Sequence, residues 1–108
     1  MTTVAAADRI AEMVRRIVER FDPIRVILFG SYARGEVAPD SDVDLLVVMP
    51  PGTNQRDTAM AIDLALAGVG VAKDVIVVTA DDVPRSARLP GHIVRSAMEE
   101  GRVLYERS

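Results

Sequence analysis

Gly30-Ser31 is followed, after ten intervening residues, by Asp42-Val43-Asp44, which sets a tight polar turn against two carboxylates. Successive residues of a strand alternate between faces, so Asp42 and Asp44 share one side while Val43 and Leu45 turn to the other. Two carboxylates held side by side repel each other unless cations sit between them. Paired divalent ions acting on phosphate oxygens are what such a geometry can hold. A glycine at a strand end lets the backbone come close to a phosphate, and a helix starting directly after it presents unpaired N–H groups to an anion. Ser31 adds a hydroxyl donor. These residue types, in this order, suit a metal-bound nucleoside triphosphate.

The flanking segments must position those groups. Ile24 to Phe29 and about Val43 to Met49 are apolar, β-branched runs that read as two buried strands, the second ended by Pro50-Pro51-Gly52. From about Thr3 to Phe21, Ile10, Met13, Val14, Ile17, Val18 and Phe21 recur at helical spacing among charged residues, and Asp22-Pro23 ends the helix. Asp57 to Leu66 reads as a shorter helix closed by Gly68 and Gly70, and Lys73 to Val78 as a third apolar strand. Asp81-Asp82 ahead of Val83-Pro84 resembles a helix start, Pro90-Gly91 breaks the chain, and Ile93 to Glu100 forms a last helix ended by Gly101. Val103-Leu104-Tyr105 is a candidate closing strand. The pattern gives an α+β fold, a small mixed sheet packed with helices, as one domain over residues 1–108 with no internal repeat.

Asp74 opens the third strand. If that strand neighbours the second, its carboxylate reaches the same edge as Asp42 and Asp44, and three acids there form a cluster of raised proton affinity that magnesium would relieve. Binding of the ion should then stabilise the fold. The bland alternatives differ in weight. Asp44 lies inside an apolar run, where an unpaired carboxylate is costly, whereas Asp74 beside Lys73 could be an ordinary solvated ion pair. Arg34, three residues past Ser31, could add positive charge to the phosphate site or simply lie on the surface. Asp40 reads as a turn residue, Asp57, Asp81 and Asp82 as helix starts, Asp63 as a solvated face, and His92 as a loop or helix-start residue. Packing accounts for Tyr32 and Tyr105 better than a role as acceptors.

Composition narrows the classes. With 108 residues, 49% hydrophobic and only 4% aromatic, the chain can bury one aliphatic core. A net charge of −3 argues against general affinity for nucleic acid. No cysteine is present, which excludes disulfides and thiolate metal sites. The N-terminal segment lacks a basic and apolar leader, and no run is long enough for a membrane span, so a cytoplasmic protein is expected.

The Gly-Ser turn, the ten-residue spacing, Asp-x-Asp and the later strand-borne Asp resemble the minimal nucleotidyltransferases of the DNA polymerase β-like superfamily, over nearly the full chain. The resemblance implies that Gly30 and Ser31 grip the triphosphate and that Asp42, Asp44 and Asp74 bind two Mg²⁺ ions, with Mn²⁺ as a substitute. The reaction would transfer a nucleoside monophosphate to a hydroxyl and release pyrophosphate, with Asp74 as general base and Arg34 assisting at the phosphates. ATP is the donor expected from the family. Small proteins of this kind typically pair with a helical HEPN-domain toxin, an RNA-cleaving protein, in a hetero-oligomer, and act as type VII-like antitoxins by attaching AMP to a tyrosine of the toxin. Two other readings stand beside it: a nucleotidyltransferase modifying a small hydroxylated molecule such as an aminoglycoside, perhaps as a homodimer, and a non-catalytic antitoxin that binds and masks its partner.

Overall fold

The apolar runs become neighbouring strands because each alternates side chains between two buried faces. In the computed structural model, which describes residues 2–38, 41–88 and 92–107, β1 (Arg25–Phe29), β2 (Val43–Met49), β3 (Lys73–Thr79) and β4 (Arg102–Glu106) form one sheet in the order β3-β2-β1-β4. β1 is antiparallel to β2 and to β4, whereas β2 and β3 run parallel, so the sheet is mixed as expected. Parallel neighbours need a crossover, and α3 (Gln55–Ala65) supplies it. The remaining helices are α1 (Thr2–Phe21), α2 (Ser31–Arg34), α4 (Val83–Ala87) and α5 (Ile93–Glu100).

Period-two alternation divides the core into two layers. Val26, Leu28, Val43, Leu45, Val47 and Val77 face Met13 and Ile17 of α1 and Ile62 of α3. Ile27, Phe29, Leu46, Val48 and Val78 face Val94 and Ala97 of α5. Met13, Ile17, Leu45, Leu46 and Ile62 are wholly buried. Burying each such side chain contributes about 1.5–3 kcal/mol before the entropy of ordering is subtracted. Within α1, Arg16 bonds Glu12 at 2.8 Å. Through Nη1, Arg16 also donates to the Ala65 and Ala67 carbonyls at the end of α3, at 3.1 and 3.2 Å.

Most expected boundaries hold, and the exceptions have local causes. α3 begins at Gln55, two residues before Asp57, because the Asn54 side chain caps it by accepting from the Asp57 N–H at 2.9 Å. β1 begins at Arg25, whose Nη2 reaches Glu106 on β4 at 2.9 Å. α1 ends at Phe21, and Asp22 takes a left-handed conformation (φ 51°) ahead of Pro23. His92 is the N-cap of α5, its Nδ1 accepting from the Val94 N–H at 3.1 Å. The expected turn at Pro39-Asp40 and the break at Pro90-Gly91 lie outside the described residues. No described helix is long and apolar enough to cross a membrane.

Candidate active site

The link from β1 to β2 starts with a turn only glycine can make. Gly30 has φ 74° and ψ −152°, and its carbonyl accepts from the N–H groups of Ala33 and Arg34 at 3.1 and 3.2 Å to start α2. A second left-handed glycine, Gly35 (φ 74°), ends that four-residue helix by donating to Tyr32, while the Glu36 N–H closes on the Ser31 carbonyl at 2.9 Å. Phe29, the residue before the turn, is the cross-strand partner of Asp44. A Cβ placed on Gly30 would collide with the Asp44 carboxylate, whose Cγ would stand only 3.2 Å away. The turn and the acid are thus in direct apposition, as the spacing predicts.

Asp44 and Asp74 are register partners in the parallel β2–β3 pair. Residues directly opposite on adjacent strands point to the same face, here the one carrying Leu46 and Val48 on β2 and Val78 on β3. Asp42 precedes β2 by one residue and sits two positions from Asp44. Asp42 and Asp74 are exposed and Asp44 is half-buried. The proton affinity of Asp44 is raised, first by burial, then by the charges of Asp74 and Asp42, and it is partly offset by Arg34. The structure therefore brings the three predicted acids into one field, with the half-buried Asp44 as its centre.

Among the described residues, no three His, Asp or Glu side chains stand close enough to close round one ion by themselves. That arrangement still suits Mg²⁺, which is usually held by one or two carboxylates together with substrate phosphate oxygens rather than by an all-protein cage. A half-buried carboxylate destabilised by two like charges is the electrostatic condition that a cation relieves.

The flanking charges arrange themselves in ways only partly legible in the sequence. Lys73 pairs with Asp63 on α3 at 3.9 Å, which leaves Asp74 outside the simple neighbour ion pair weighed for it. Arg34 is positioned by two acids that the sequence reading did not connect to it. Its Nε bonds Glu36 at 2.9 Å and its Nη1 stands 4.0 Å from Glu100 at the end of α5. Glu36 has a local signal, two residues along the same turn, whereas Glu100 is 66 residues distant and has none. Its arrival follows from α5 crossing the sheet face toward the site. Tyr32 and Tyr105 pack against the α1-side core.

Residues 9–104 match the family described as "Nucleotidyltransferase domain". A "Putative protein adenylyltransferase" of Methanocaldococcus jannaschii is 38% identical over 84 residues, covering 75% of this chain and 77% of that protein. A "Bifunctional uridylyltransferase/uridylyl-removing enzyme" of Bordetella pertussis is 41% identical over 78 residues, 69% of this chain but only 9% of that enzyme. Among solved structures, a "putative minimal nucleotidyltransferase" superposes with a TM-score of 0.61 at 30% identity, covering 93% of this chain and 92% of the other. A Sulfolobus solfataricus structure of a "putative nucleotidyltransferase" shares the fold, with a TM-score of 0.62 at 22% identity over 95% of this chain and 87% of that one. Together with the Gly-Ser turn packed on paired strand-borne aspartates, these matches establish that the chain belongs to the nucleotidyltransferase domain family.

Proposed function

We propose that the protein is a Mg²⁺-dependent adenylyltransferase that moves AMP from ATP to a tyrosine hydroxyl of a HEPN-domain ribonuclease toxin and so neutralises it. The observation that carries the catalytic part is the in-register placement of Asp74 beside Asp44, against the Gly30 turn. The acceptor and partner rest on the family resemblance, and similarity to a protein named as an adenylyltransferase supports a protein acceptor.

In this reading Gly30 and Ser31 hold the triphosphate with backbone and hydroxyl donors, and Asp42, Asp44 and Asp74 hold two divalent ions. When bound, the ions neutralise triphosphate charge and lower the proton affinity of the attacking hydroxyl. The acceptor oxygen forms a bond to the α-phosphorus as the bond to pyrophosphate breaks, and the hydroxyl proton passes to Asp74, whose exposed carboxylate an incoming acceptor can reach. Arg34, already within the field of Asp44, offsets charge on the departing pyrophosphate.

The test is intact-mass measurement of a HEPN-domain toxin, sought as the product of a neighbouring gene, after incubation with this chain, Mg²⁺ and each of the four triphosphates. A mass increase of one or more AMP groups with ATP, absent in Asp44→Asn, is the expected result. Modification of a small hydroxylated molecule in place of the protein would overturn the acceptor. Neutralisation that survives loss of Asp42 and Asp44 would overturn catalysis.

A further inference from the structure

Arg34 stands above the acids and is tied away from them. Its N–H bonds the Gly30 carbonyl at 3.2 Å, which seats it one helical turn beyond the glycine against which the Asp44 carboxylate lies. The guanidinium is within the field of Asp44, yet its ion pairs among the described residues are with Glu36, 2.9 Å from Nε, and Glu100, 4.0 Å from Nη1. Both partners are exposed, whereas Asp44 is half-buried and crowded by Asp42 and Asp74. Water screens a charge less as it is buried, so Asp44 is the acid onto which a free guanidinium would fall. Something must hold Arg34 back.

The two exposed acids are fixed by backbone rather than by Arg34. Glu36 follows the left-handed Gly35, and its N–H closes on the Ser31 carbonyl at 2.9 Å. Glu100 ends α5, and the Gly101 N–H after it bonds the Ala97 carbonyl at 2.9 Å. A Cβ on Gly101 would collide with that carbonyl and with Ile27, and would stand 3.0 Å from the Leu28 carbonyl. Arg102, next in the chain, pairs with Leu28 on β1. The end of α5 is therefore packed onto β1 two residues before Gly30, and it carries Glu100 to the site with no help from the side chain itself.

We propose that Glu36 and Glu100 are positioning residues that tether the Arg34 guanidinium off Asp44, so that the acids stay open to a divalent cation and the arginine stays free to meet phosphate. The proposal rests on the reading of Asp44 as an ion-binding residue. A guanidinium has five N–H donors, and the tether engages Nε and Nη1, leaving Nη2 for an incoming anion. Released from the tether, the same group becomes an internal counter-ion: it neutralises Asp44 directly and competes with the metal for it. Each exposed pair is weak alone, which suits a tether that must let the guanidinium turn to a triphosphate when one arrives.

Mn²⁺ titration of the nucleotide-free protein, followed by the electron paramagnetic resonance signal of the free ion, tests it in a double-mutant cycle. Glu36→Gln/Glu100→Gln should bind Mn²⁺ about fivefold more weakly than the wild type, with unchanged circular dichroism. Arg34→Gln should tighten binding only slightly in the wild-type background and about fivefold in the Glu36→Gln/Glu100→Gln background, whereas independent charge effects would give one factor in both. Glu100→Gln alone should move in the same direction by a smaller factor. Glu99→Gln, at the neighbouring acid of α5 that pairs with Arg95 at 3.3 Å, should leave the Arg34→Gln factor unaltered. Equal Arg34→Gln factors in the two backgrounds, or a factor that Glu99→Gln changes as much, would overturn the tether and leave the ion site standing. A wild type that takes up no Mn²⁺ would also overturn the tether; the ion site then stands if uptake appears with a non-hydrolysable ATP analogue, and falls if it does not.

Discussion

At the level of single residues, Asp44 and Gly30 form one device. The acid can stand where it does only because nothing projects from the glycine, and Gly30→Ala introduces both a forbidden φ and a collision with the carboxylate. Forcing a side chain into that conformation costs about 1–3 kcal/mol, to be read by urea denaturation, together with loss of nucleotidyl transfer. Asp44→Asn should behave oppositely in the two assays. Outer-shell changes at metal sites already cost about 10–100-fold, so losing this carboxylate should lower transfer by at least that much. The metal-free fold should gain stability at neutral pH. The sign follows from the raised proton affinity of Asp44. Its contribution is fully retained below its ordinary value of 3.8 and is lost as pH rises through the raised value, so at pH 7 the ionised group opposes folding and asparagine removes that opposition. Glu12 on α1 works the other way. Its bonds to Arg15 and then Arg16 hold its carboxyl down to about 2, and the stability it contributes is present above 4.5 and lost as pH falls toward that lowered value. Thermal melts of the wild type and Asp44→Asn across pH 3 to 8 should therefore diverge toward the neutral end. Arg34→Gln should raise the KM for the triphosphate about 10-fold and should lower the melting temperature only slightly at neutral pH, since Glu36 and Glu100 are exposed and the one cost is the lost offset to the Asp44 charge.

At the level of elements, the site depends on one register. A one-residue slip of β3 against β2 would turn Asp74 to the opposite face and expose Val75 in its place. What holds the register is the burial of Val77 on one face and Val78 on the other, backed by the crossover helix α3. The Asn54 cap sets where that helix begins, so Asn54→Ala should cost about 1 kcal/mol and lower the melting temperature by about 4–8 °C. It should leave kcat/KM of the remaining folded protein unchanged. The same elements show what the sequence discloses. The apolar, β-branched runs at Val43–Met49 and Lys73–Val78 are enough to identify both strands, and the glycine after β1 identifies the turn, because these are local facts of side-chain type and sterics. The parallel pairing of β2 with β3 was only conditional in the sequence, since a strand's neighbour is chosen by the whole sheet. The arrival of Glu100 at Arg34 was invisible for the same reason. The Asn54 cap has a local signal, an asparagine three residues ahead of Asp57, but Asp57 is itself a helix-start residue type, and the two compete for the boundary.

At the level of the whole molecule, the core and the chemical site are separable. The wholly buried side chains, Met13, Ile17, Leu45, Leu46 and Ile62 among them, lie between sheet and helices, while Asp42 and Asp74 stand at the exposed ends of β2 and β3. A fold whose burial does not pass through its carboxylates should survive removal of divalent ions, unlike a small domain organised around a structural metal. Chelation is therefore expected to abolish transfer with no change in the far-ultraviolet spectrum. Adding Mg²⁺ alone should raise the melting temperature slightly by relieving the repulsion at Asp44, and adding Mg²⁺ with a non-hydrolysable ATP analogue should raise it much further, because the phosphates complete the ion's coordination. A ligand at 100 times its Kd stabilises by about 2.7 kcal/mol, which in a domain of this size corresponds to a shift of roughly 10 °C or more. In Asp42→Asn/Asp44→Asn that shift should disappear while the ligand-free melting temperature holds or rises. A chelated protein that loses its secondary structure would show that the acids and their ions hold the fold together, and would contradict the separation of core from site.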